Sequence, residues 1–148
     1  MMEQAKKWMP KPEIDSPCAD ISFARASQND ATLVVVMHFS RVVDGIATDL
    51  EIVFENSLAV SWEEESFGLI ESPKDLPKCA ATNFRIWTHP TLIVEHSKWA
   101  QQYRARRYAE NDPASQTVVH YFLVSMNDLI HVLADSEPRA RWLSKVDA

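Results

Sequence analysis

Residues 32–64 alternate apolar and polar side chains around Asp44-Gly45, and no other feature of the chain restricts its fold as strongly. A period of two sends successive side chains to opposite faces of an extended strand, and an Asp-Gly pair supplies the positive φ of a two-residue hairpin turn. Pairing Val43 with Ile46 across that turn sets Phe39 opposite Leu50, Met37 opposite Ile52 and Val35 opposite Phe54, all on one face. His38 with Glu51, Ser40 with Asp49 and Val36 with Val53 fall on the reverse, giving a sheet with one buried and one largely polar face. Leu58, Val60 and Trp62 extend the apolar face if Glu55, Asn56 and Ser57 make a three-residue loop. That register predicts a three-stranded meander, with Asn56 or Ser57 left-handed in place of glycine.

Further along, Pro73 and Pro77 mark a long connection, and residues 84–87 and Thr91–Glu95 read as short strands parted by His89-Pro90. Ser97 is placed to cap a helix over about 97–108, with Trp99 and Tyr103 one turn apart. Residues 116–124 are β-prone and apolar on both faces: Val118, His120, Phe122 and Val124 on one, Val119, Tyr121 and Leu123 on the other. Such a strand belongs in the middle of a sheet. Ser125 and Asp128 resemble a capping box, and Met126, Leu129, Ile130 and Leu133 recur at i, i+3, i+4 and i+7, which predicts a second helix over about 126–134. Arg139–Leu143 reads as a last short strand or as a segment laying Trp142 on the body. The expected class is α+β, a largely antiparallel sheet of about five to seven strands with two helices. Pro10, Pro12 and Pro17 lie among charges, so residues 1–17 are expected to form a flexible arm, its Trp8 docking on the single domain formed by 18–148.

Composition narrows the function. Only Gly45 and Gly68 are glycines, which excludes the Gly-rich loops that cradle phosphates, and Cys18 and Cys79 form no CxxC pair. No stretch reaches the ~18 apolar residues of a membrane span, so a cytoplasmic protein with no membrane partner is expected. Fifteen Lys and Arg against 21 Asp and Glu give a formal charge of −6, which repels nucleic acid although Arg104, Arg106 and Arg107 alternate with Tyr103 and Tyr108. His38, His89, His96, His120 and His131 show no metal-ligand spacing, and neither a metal nor a cofactor is expected. Acidic residues crowd the first half, so the residues expected to meet a basic protein partner are Asp49, Glu51, Glu63, Glu64 and Glu65, with Trp87 and Trp99 as aromatic anchors. No catalytic residue is assigned. The alternatives are a small enzyme using His38 or His120 with a carboxylate as acid-base groups, and a homodimer built through residues 116–124 or exposed tryptophans.

Three segments, SLAVSWEEE, WTHPTLIVEHSKW and HYFLVSMNDLIHVLA, resemble those of small bacterial immunity-type proteins, the dedicated inhibitors encoded beside polymorphic or contact-delivered toxins. The resemblance spans roughly residues 57–134 and rests on a strand ending in Trp plus acids, a strand-to-helix run and a terminal strand leading into a capped helix. It carries over no functional residue. It implies a single-domain, acidic, cytoplasmic, non-catalytic binder, so that a bacterial immunity-like inhibitor of a basic protein is the function expected.

Overall fold

The alternating stretch forms three strands, but only two of them share a sheet. The computed structural model describes residues 4–11, 14, 21–40, 48–64, 78–79, 89–125 and 128–143. Its strands are β1 (Gln4–Lys7), β2 (Ile21–Asn29), β3 (Thr32–Phe39), β4 (Thr48–Phe54), β5 (Ser57–Glu64), β6 (Lys78–Cys79), β7 (Thr91–Glu95), β8 (Val119–Val124), β9 (Asp128–Ala134) and β10 (Arg139–Leu143). The helix α1 (Lys98–Arg107) follows β7, and a 3-10 turn over Pro113–Thr117 leads into β8. A six-stranded sheet has the order β5-β9-β8-β7-β1-β6 and a four-stranded sheet the order β10-β4-β3-β2. All pairings are antiparallel except β1 with β6. The α+β, largely antiparallel expectation holds, but among the described residues the single sheet of about five to seven strands becomes two sheets of six and four strands, and one helix replaces two.

The apolar face read from β3 and β4 is the face that packs. Leu33, Val35, Met37, Phe39, Leu50, Ile52 and Phe54 meet Tyr121, Leu123, Ile130 and Val132 of the other sheet in one core. Tyr121 sits between two rings, with Trp8 at 5.0 Å and Phe54 at 5.5 Å, both edge-on. Burial pushes the Tyr121 phenol up to about 12, with the charge of Glu137 adding to the effect. The pairing register is shifted by two residues from the expected one, with Val35 opposite Ile52, Met37 opposite Leu50 and Phe39 opposite Thr48. A slip of two preserves every side chain's face, so burial does not discriminate the two registers and the turn decides. That turn, at Asp44-Gly45, lies outside the described residues.

β5 overturns the expected meander. Its partner is β9, and β4 is flanked instead by β10. Two long-range contacts hold the corner where the chain changes sheets. The Ser57 amide and hydroxyl both donate to Ala31 O, at 2.7 Å each, and the Asn56 side-chain amide lies 2.9 Å from each Asp135 carboxylate oxygen. A bulge between Ser57 and Ala59 then divides the apolar set: Leu58 packs beneath α1 and Val60 against the central core. Neither Asn56 nor Ser57 is left-handed; among the described residues the non-glycines at positive φ are Asp30, His96 and Asn111.

The helix expected over 126–134 is also overturned. Ser125 and Asp128 bracket the β8–β9 hairpin: the Ser125 amide and hydroxyl donate to Asp128 O, and the Asp128 amide donates to Ser125 Oγ, each at 3.0 Å. Leu129, Ile130, Val132 and Leu133 are all buried, because β9 lies inside the sheet with both faces covered, and such a run reads equally well at helical spacing. β8 is the central strand its two apolar faces predict. Within residues 1–17, Gln4–Lys7 form β1 between β7 and β6, and Trp8 is buried in the core, 7% exposed. The Trp8 amide donates to Thr91 O at 3.0 Å, and Trp8 O accepts from the Thr91 hydroxyl at 2.6 Å. α1 has the predicted Ser97 cap, lays Ala100 on Val118 and Leu133, and is tied down through Arg104, which donates to Ser115 O and Val118 O.

Candidate functional site

Three polar side chains meet on the outer face of the six-stranded sheet. In the β8–β9 hairpin Phe122 lies directly opposite His131 and His120 opposite Leu133, which makes the two histidines diagonal neighbours within reach of each other. His120 Nε2 stands 2.7 Å from His131 Nδ1. On its other side His120 Nδ1 stands 2.7 Å from Ser97 Oγ, the same oxygen that accepts the Ala100 amide at 3.1 Å and caps α1. Aromatic rings enclose the pair. Phe122 stacks on His131 at 4.1 Å and 12°, while Trp99 stands edge-on to His120 at 5.2 Å. Burial drops the His120 ring to about 3, aided by the neighbouring His131, and burial alone drops His131 to about 4. Both rings are therefore neutral at pH 7, and each ring nitrogen in the chain pairs a donor with an acceptor.

Serine, imidazole and a second imidazole in sequence have the outline of a nucleophile, a base and an orienting group. The burial is wrong for that chemistry. Ser97 is 3% exposed and its oxygen is engaged by both the helix amide and His120. A cavity of about 350 Å³ opens at the C-terminal end of α1, bordered by Arg104, Tyr108 and Ser115, and it includes none of the three. Among the described residues no carboxylate hydrogen-bonds either ring. The chain instead fastens the start of α1 to the sheet.

The remaining histidines lie elsewhere. His38 faces Asp49 rather than Glu51, with Nδ1 2.7 Å from Oδ1, on the outer face of the four-stranded sheet. His89 is buried with Nε2 3.3 Å from Trp8 O, and His96 is exposed at the turn before α1. Among the described residues no three His, Cys, Asp or Glu converge on a point where a metal ion would sit.

The residues expected to bind a partner do not share one surface. Asp49 and Glu51 point outward from the four-stranded sheet, where His38 meets the first and Arg141 the second, with its Nε 2.9 Å from Glu51 Oε1. Trp99 lies across the sandwich against His120 and His131. Glu65 and Trp87 fall outside the described residues. Glu63 and Glu64 end β5, and the register sets Glu64 directly across from Asp128. Beside them Trp62 is 48% exposed, its ring touching Phe23 edge-on at 6.0 Å. Among the described residues β5 is the outermost strand of its sheet at that side. The edge position of Trp62 and its exposure were hidden from the sequence, since both follow from the change of sheets at Asn56 and Ser57.

The chain matches no protein-family model, and neither a curated protein nor a solved structure is significantly similar to it. Among the described residues no helix is long and apolar enough to cross a membrane.

Proposed function

We propose that the protein is a non-catalytic binding module for a basic protein, acting in the manner of an immunity-type inhibitor. The observation that supports this reading is Trp62, half exposed at the end of a sheet and followed at once by Glu63 and Glu64 with Asp128 opposite. Tryptophan is the side chain most often found as an anchor in protein interfaces, and it is seldom left in water without a use. Acids directly across from each other repel, and lysine or arginine from a partner relieves that repulsion. A formal charge of −6 speeds encounter with such a partner. The burial of Ser97 and the scatter of the other histidines speak against the enzyme reading.

The test is differential capture from a lysate of the source cells, comparing the tagged protein with a Trp62→Ala variant and a Glu63→Lys/Glu64→Lys variant. A basic protein held by the wild type at low salt, shed at high salt and missing from both variants supports the reading. Equal capture by all three proteins defeats it.

A further inference from the structure

We propose that the edge of β5, which has no further strand beside it among the described residues, receives a strand from the basic partner, so that recognition runs through backbone pairing at residues 59–62, with Trp62 as the apolar anchor and positions 63, 64 and 128 as the charge filter. The inference rests on the binding reading above and specifies its mode. Along an edge strand every second residue aims its N–H and C=O away from the sheet, which leaves a template for one more strand.

Folded proteins blunt such edges with short strands, proline, bulges or charges. β5 runs for eight residues without proline, and its one bulge lies at the Ser57–Ala59 end, leaving regular pairing with β9 from Ala59 to Glu64. Among the described residues charge is the one blunting device beyond the bulge, and it is selective. Glu63 and Glu64, with Asp128 across from Glu64, oppose an acidic strand and favour a basic one. A second copy of this chain brings the same −6 charge and is disfavoured on that ground. Protection against aggregation accounts for the acids but not for the half of the Trp62 ring left exposed beyond its contact with Phe23, because a large apolar ring on an edge invites pairing. Trp62 and the acids together describe an edge that excludes most strands and admits one of opposite charge.

The experiment titrates three synthetic peptides of equal length into the full chain: alternating Lys and Val, the same peptide N-methylated at alternate residues, and alternating Glu and Val. Amide hydrogen exchange locates the contact. The Lys–Val peptide should slow exchange within residues 59–62 and lose this effect on Trp62→Ala, a substitution at a half-exposed site whose folding is checked by denaturant unfolding. N-methylation keeps charge and side chains while removing backbone donors, and should weaken binding at least about tenfold. Equal binding of the methylated peptide overturns strand addition and leaves the basic-partner reading standing. Equal binding of the Glu–Val peptide, or no binding of the Lys–Val peptide, overturns both. Protection of β5 that grows with protein concentration alone assigns the edge to a second copy and overturns the proposal.

Discussion

Acidification from pH 7 to pH 5 should remove about 4 kcal/mol of folding stability through His120 and His131 alone. Both rings titrate in the fold far below the 6.5 of a free imidazole, at about 3 and about 4. Between 6.5 and about 4 the unfolded chain therefore binds protons that the folded chain does not, and stability falls as pH falls. Once the pH is well below 6.5 each ring contributes a slope of about 1.4 kcal/mol per pH unit, so that either one accounts for just under 2 kcal/mol over the interval. The loss levels off near pH 4 for His131 and near pH 3 for His120. Geometry explains why the second proton is the harder to accept. A cationic His131 can still donate from Nδ1 to His120 Nε2 while His120 Nδ1 donates to Ser97 Oγ, whereas protonating His120 as well sets two N–H groups against each other at 2.7 Å. The assay is denaturant unfolding at several pH values, comparing the wild type with His131→Asn, whose side-chain oxygen can still accept from His120 and does not titrate. Carboxylates contribute alike to both proteins, so the variant should lose about 2 kcal/mol less than the wild type between pH 7 and pH 5. Identical pH dependence in the two proteins, or ring protonation near pH 6 by NMR titration, would refute the account of the buried pair.

Trp8→Ala should cost about 3–5 kcal/mol in denaturant unfolding, because it empties the space between Tyr121 and the main core; a loss below about 1 kcal/mol would show that the N-terminal segment is not docked. Ser97→Ala should cost about 1–3 kcal/mol, since it removes the cap and orphans His120 Nδ1, and amide exchange should accelerate first in α1. Unchanged exchange there would contradict the fastening role. Trp62→Ala should change stability by less than about 1 kcal/mol while abolishing partner capture, and a large loss of stability would place the ring in the core instead.

The sequence carried the parts of the fold that are local. The faces of β3 and β4, the Ser97 cap of α1 and the two-sided burial of β8 each follow from a few adjacent residues. What escaped depends on distant partners. Nothing near Asn56 and Ser57 announces Asp135 and Ala31, and those bonds send β5 to the other sheet. The slip of the β3–β4 register left every face intact, so it was invisible to patterning, yet it exchanged Glu51 for Asp49 as the neighbour of His38. β9 is apolar on both faces and matched a helical stripe by coincidence of spacing. Reading Ser125 and Asp128 as the ends of a hairpin would have brought His120 and His131 diagonally together, and with them the buried pair. The candidate binding edge was legible only in its composition, as the run SWEEE; its place at the rim of a sheet was not.

The most direct test of the central claim is calorimetric titration of a purified basic partner, obtained by the differential capture, into the wild type and into Glu63→Lys/Glu64→Lys at low and high salt. The account predicts tight binding to the wild type that weakens as salt is raised, and loss of most of that affinity, together with its salt sensitivity, in the charge-reversed variant. Equal affinity for both proteins at both salt concentrations would contradict it.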